Sequence, residues 1–215
     1  MISVPISLKY IKLGNYQKFL QIENPSTEDL IKCLLEVSSP DLARMKATDV
    51  DHIAAELNEL FEVDHQFVNQ FELYGKRFGF IPKLDDITYG ENKDITNYIN
   101  DWGNMHKAMA VLFRPIEKKL SNQYIIEDYE GSHVYSDIMK DMPLSVVLGS
   151  MVFFYNLTNE LLNYIPNYLE KQISKEQMIE VDLQGSGEVI LNSIRLLKET
   201  LQDLIPSQNI NYTNA

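Results

Sequence analysis

Four histidines, His52, His65, His106 and His133, are the side chains best suited to ligating a metal or carrying a proton near neutral pH. Either task needs such groups to converge, and convergence within one element shows as fixed spacing, such as HExxH on a helix or tandem Cys and His pairs. Neither spacing occurs, and no two of these histidines fall on one helical face. Asp64 could orient the His65 ring, but no Gly-x-Ser-x-Gly elbow accompanies it. Cys33 is the only cysteine, which excludes an intrachain disulfide and a multi-cysteine metal site. Asp85-Asp86 and Glu127-Asp128 pair carboxylates, as a glycosidase does, yet adjacent side chains point apart on a strand or a helix. They read as solvated acids. Gly90 and Gly185-Ser186-Gly187 match neither G-x-G-x-x-G nor G-x-x-x-x-G-K, so the second reads as a flexible linker. The expectation is no catalytic residue, no metal ligand and no cofactor, hence no enzyme.

Two stretches would position whatever the chain does. In Asp101 to Pro115, Trp102, Met105, Met109, Leu112 and Phe113 recur at three- and four-residue spacing and form one apolar helical stripe. The 18 residues from Met142 to Asn159 carry no charge, and their apolar positions nearly encircle a helix. Pro143, Ser145, Ser150, Asn156 and Asn159 argue for a buried helix there rather than a membrane span. Together these stretches predict one core containing Trp102, Met109, Phe113, Leu148, Val152 and Leu161. Methionines 105, 109, 139, 142 and 151 read as core filling.

In chain order, residues 2–13 alternate Val4, Ile6, Leu8 and Tyr10 with more polar positions and stop at Gly14-Asn15, which predicts an edge strand and a turn. Ser26 and Asp29 stand at capping-box spacing before a helix carrying Leu30, Ile31, Leu34 and Leu35. Thr48 and Asp51 suggest a second box opening a helix to about Val63. Phe67, Phe71 and Leu73, then Phe78 and Phe80, flank Gly75-Lys76 and predict a hairpin. Helical spacing from Ile95 runs into the central stripe, with Arg114-Pro115 as its end. Residues 117–131 read as an exposed excursion with one short strand, and 132–140 as a short helix. Pro166 ends or kinks the long apolar helix, a linker follows at 174–187, residues 188–204 form a final amphipathic helix, and 207–215 form a polar tail. The fold class expected is mainly α, a helical domain with a minor β-hairpin and an N-terminal edge strand. The expected organisation is 1–65, 66–206 and the tail 207–215, or one domain throughout.

Composition narrows the partners. Thirty-one acidic against 19 basic residues give a net charge of −12, which disfavours nucleic-acid binding because phosphate neutralisation needs clustered Lys and Arg. The first 20 residues contain no continuous apolar run of the secretory type.

FELYGKRFGFIPKLDDITYGE, DWGNMHKAMAVLFRPI and YSDIMKDMPLSVVLGSMVFFYNLTNELL, all between Phe71 and Leu162, resemble a family of tailed-bacteriophage structural or assembly proteins, most clearly from Bacteroidetes phages including the crAss-like group. The resemblance covers less than half of the chain and brings no catalytic residue with it. It implies a helical, oligomeric virion protein, made in the host bacterial cytoplasm and forming a ring or connector at the capsid–tail junction. Its partners would be further copies of itself, portal and tail proteins, and DNA passing through the channel without specific binding; no membrane is involved. The layout is also similar to tail-assembly chaperones, which implies the alternative of a cytoplasmic factor coating the tape-measure protein.

Overall fold

Local capping and turn chemistry set the first elements. In the computed structural model, which describes residues 5–157 apart from 121–122, the Ser26 hydroxyl accepts from Asp29 N (3.2 Å) and Asp29 Oδ2 accepts from Ser26 N (3.0 Å). This capping box opens α2 (Thr27–Leu35), whose buried face is Leu30, Ile31 and Leu34. It follows α1 (Leu13–Leu20) and precedes a single turn, α3 (Ser39–Leu42), and the longer α4 (Ala47–Glu62). Helix α4 buries Ile53, Ala54 and Leu57. The second capping box expected from the sequence does not form: Lys46 is the N-cap and makes no side-chain bond, and Thr48 lies inside the first turn.

Among the described residues the expected N-terminal edge strand is also absent. Leu8–Tyr10 form a 3-10 turn, and α1 begins at Leu13. Three residues per turn bring Leu8 and Ile11 to one face, where they are 3% and 1% exposed, while Ile6 and Tyr10 of the supposed apolar face stand in solvent. Gly14 lies within α1 rather than in a turn. Its amide donates to Lys140 O at 2.6 Å, and a Cβ there would meet that oxygen at 3.0 Å, so the position suits a residue without a side chain.

Four strands form an antiparallel sheet in the order β1 (Gln70–Leu73), β2 (Lys76–Phe80), β3 (Phe113–Leu120) and β4 (Gln123–Ile126). Tyr74 and Gly75, at φ 51° and 72°, make the two-residue turn joining β1 to β2, the backbone twist such hairpins require. The fold is therefore mixed α/β with helix predominating, not mainly α with a minor hairpin. Most of the difference lies in β3. The helix expected to run to Arg114 ends at Leu112 as α6 (Met105–Leu112), and the chain turns directly into a strand that pairs Phe113 with Phe80, Arg114 with Gly79 and Pro115 with Phe78. Pro115 is tolerated there because its carbonyl accepts the Glu127 amide (2.9 Å) just past the end of β4, where no donor is asked of it in return. The excursion expected at 117–131 is largely this second hairpin.

Two compact units make up the chain, Met1–Ser150 and Met151–Ala215. In the first, α6 buries seven of its eight residues, and Phe71, Phe80 and Phe113 meet edge-on at 5.2–5.3 Å against Phe113. Tyr16 of α1 packs on Phe61 (5.6 Å) and on Trp102 (5.3 Å), which ties segments before residue 65 to those after it. Helix α5 (Tyr89–Tyr98) precedes α6, and α7 (Ser136–Met139) follows the sheet. Residues 144–157 are helical, with Leu144, Val146, Val147 and Ser150 buried. Of the expected core, Met109 and Phe113 are fully buried, Trp102 and Leu148 are half-buried, and Val152, of the second unit, is 40% exposed and is not core. Leu161, Pro166, the linker at 174–187, the helix at 188–204 and the tail at 207–215 lie outside the described residues. None of the described helices is long and apolar enough to cross a membrane.

Candidate functional site

The histidines do not converge. His52 is exposed beside Glu56 (3.3 Å), His133 is exposed, and His65 is half-buried, with burial holding its imidazole below the ordinary value. His106 is buried on α6, its Nδ1 3.1 Å from Gln17 Nε2. Among the described residues no three His, Cys, Asp or Glu side chains stand together as a metal would need. Cys33 is half-buried, and desolvation pushes its thiol upward, away from a reactive thiolate. Methionines 105, 109, 139, 142 and 151 are all buried. Gly185-Ser186-Gly187 lies outside the described residues.

What the fold does bring together is a buried ion pair that sequence reading did not single out. Arg114 on β3 is 7% exposed and Glu91 on α5 is 4% exposed. Glu91 arrives by way of a capping box. Thr88 Oγ1 accepts from Glu91 N (3.2 Å), and Glu91 Oε2 accepts from Thr88 N (2.6 Å), which aims the other carboxylate oxygen at Arg114 Nη1, 2.6 Å away. That contact has ion-pair distance without hydrogen-bond alignment, and both Nη1 and Nε of Arg114 are buried with no hydrogen-bonding acceptor. The Tyr129 ring covers the guanidinium at 5.4 Å, and its hydroxyl donates to Asp94 Oδ2 at 2.5 Å. Burial and that carboxylate both push the Tyr129 phenol upward, so it remains a donor.

Two cavities open on this arginine, one of about 280 Å³ and one of about 610 Å³, and Arg114, Glu127, Asp128 and Tyr129 line both. The smaller is bounded also by Glu117, Glu130 and Tyr135. The Tyr135 hydroxyl donates to Glu127 Oε2, and its phenol is pushed up to about 12 by burial first and by that bond second. Among the described residues Glu117, Glu127, Asp128 and Glu130 have no Lys, Arg or His within ion-pair distance. The larger cavity includes Lys83, 3.4 Å from Asp86. Glu127-Asp128, read from the sequence as solvated acids, thus form the wall of a cleft; Asp85 is exposed, and Gly90 sits in the first turn of α5. Chemically, the arrangement is a recessed donor within a ring of carboxylates and phenols, suited to recognition by charge.

Two signals for this site exist in the sequence. Thr88 and Glu91 have capping-box spacing, and Arg114 interrupts the apolar run Ala108 to Phe113, where a charge must be buried with a partner. Neither names the partner, because it is the pairing of β3, well downstream of Glu91, that brings the two together. No protein-family model, curated protein or solved structure matches the chain.

Proposed function

We propose that this chain is a non-enzymatic assembly protein of a tailed bacteriophage, working as a homo-oligomeric ring at the junction of capsid and tail. The observation that carries the self-association is the outer strand of the sheet. β4 is last in the strand order, no described strand pairs with its far side, and it presents Ile125 at 46% exposure. An open edge bearing an exposed apolar side chain is a template for a strand or surface of another chain. Among the described residues the N-terminal segment contributes no such edge, so the sheet takes over the role expected of it.

A charge of −12 per subunit gives the ring a use for its acidity, since a negative channel wall repels DNA phosphates and lets the genome slide without sticking. Neighbouring portal and tail proteins complete the junction. The resemblance of the segment from Phe71 to Leu162 to phage structural and assembly proteins supplies the setting. Mass spectrometry of purified particles tests it: peptides from this chain in several copies per particle are expected. Their absence, together with a monomeric mass in solution, overturns the ring and leaves a cytoplasmic chaperone of the tape-measure protein.

A further inference from the structure

We propose that the ring closes head to tail, the β4 edge of each copy adding to the β1 edge of the next, so that one antiparallel sheet runs on from subunit to subunit. The inference rests on the ring reading and deepens it by naming the surface that receives β4.

Strand order comes first. β1 and β4 are the two outer strands of the sheet, and no described strand pairs with the far side of either. Because the strands number four and every pairing is antiparallel, β1 and β4 run in opposite directions. Copies set side by side in one orientation therefore bring β4 against β1 antiparallel, the relation the sheet already uses. A ring needs such a contact between two different surfaces, whereas β4 on β4 closes at two copies.

Hydrogen bonding sets the register. The two-residue turn makes Leu73 and Lys76 a bonded pair, and bonding alternates along β1 from there. Asn69 O accepts from Phe80 N (2.9 Å), which keeps that alternation and leaves the main-chain groups of Gln70 and Glu72 pointing away from β2. On β4 the Glu127 amide donates to Pro115 O (2.9 Å), so Gln123, Ile125 and Glu127 bond toward β3 while Tyr124 and Ile126 point outward. Each four-residue edge thus offers two outward residues at alternate positions. Tyr124 opposite Glu72 and Ile126 opposite Gln70 pair all of them at once, with the strands overlapping over their full length.

Side chains agree with that register. The Tyr124 ring lies over Gly79, while Phe71 stacks on Phe78 on the other face, so Ile125 and Phe71 share a face and come directly opposite each other. Ile125, 46% exposed, gains an apolar neighbour there. Glu72 and Lys119 are exposed on the Tyr124 face, and among the described residues neither has an opposite charge within ion-pair distance. Lys119 pairs with Tyr124, which sets it two strand spacings, about 10 Å, from Glu72 of the next copy, a gap the two long side chains span.

Native mass spectrometry of the full-length chain and its edge variants tests the arrangement. Ile125→Lys blocks β4. Glu72→Pro blocks β1 by removing an outward amide that the β1–β2 ladder does not use. Gln70→Pro removes the other outward amide and repeats the test with a separate variant, and circular dichroism verifies that each variant folds. The unmodified chain is expected as a discrete oligomer and each variant alone as a monomer. Mixed in equal amounts, Ile125→Lys and Glu72→Pro are expected to form a heterodimer and nothing larger, because one intact β4 and one intact β1 remain between them. Homodimers of Glu72→Pro beside monomeric Ile125→Lys would show β4 on β4 and overturn the proposal. So would an oligomer that survives both proline substitutions, or a mixture that stays monomeric; in these cases the unmodified chain is still an oligomer and self-association stands. A monomeric unmodified chain would instead remove the ring reading and this inference with it.

Discussion

The Glu91 carboxylate serves two groups at once, with Oε1 2.6 Å from Arg114 Nη1 and Oε2 2.6 Å from Thr88 N, and so clamps the start of α5 to strand β3. Both side chains are over nine-tenths buried, so neither can fall back on water. Glu91→Ala removes the only described carboxylate in ion-pair contact with a buried guanidinium and should destabilise the fold by about 3–5 kcal/mol. Thr88→Ala, which removes the cap alone, should cost about 1 kcal/mol. Urea unfolding midpoints of the two variants decide the matter: equal losses would mean that the ion pair adds nothing beyond the cap.

Gly79 on β2 lies under the Tyr124 ring of β4, and a Cβ added there would stand 2.5 Å from a ring carbon and 3.0 Å from Ile116 Cγ1. The ring cannot swing clear cheaply, because its hydroxyl donates to Phe80 O (2.8 Å). Gly79→Ala should therefore destabilise by about 1–3 kcal/mol through overpacking. In a Tyr124→Ala background the same substitution should cost distinctly less, and additive losses in denaturant unfolding would contradict this packing account.

His106 gives the fold an acid sensitivity. Burial, with Lys140 and Lys107 adding to it, holds its imidazole below the ordinary 6.5, while Asp137 and Asp101 oppose weakly. Protonation would also set an Nδ1–H against the Gln17 amide nitrogen, which already donates to Trp102 O and Gly103 O. The unfolded chain then binds this proton more tightly than the folded one. The contribution is complete above about pH 6.5 and is lost as pH falls from there toward the lower folded value. His65 shifts in the same direction, so the comparison is with His106→Asn. Between about pH 7 and about pH 5 the unmodified chain should lose more stability than the variant, and parallel losses would remove His106 from the account.

How much of this was legible in the sequence follows from which forces act locally. The α2 capping box, the first hairpin, expected around Gly75-Lys76 and turning one residue earlier at Tyr74-Gly75, and the short helix after residue 132 are determined by neighbours in the chain, and they are readable. Strand β3 was not. Phe113 stands four residues after Met109, so it continues the helical stripe, and only pairing with β2 draws it into a strand. The N-terminal alternation misled for a related reason. Leu8, Ile11 and Leu13 are buried in a 3-10 turn and the start of a helix, where the Leu13 and Gly14 amides donate to Met142 O and Lys140 O far along the chain. The cleft is half legible: Glu127 and Asp128 stand out as a pair, but Arg114, which the fold buries beside them, precedes a proline and reads as a helix terminator.

Self-association through the sheet edge is tested most directly by the native mass of the purified full-length chain beside that of Ile125→Lys. Ile125 is 46% exposed, so the substitution places a charge on the β4 edge without opening a cavity in the core. The account predicts a discrete homo-oligomer for the unmodified chain and a shift to monomer for the variant, with both folded by circular dichroism. A monomer in both cases, or an oligomer indifferent to the lysine, would contradict it.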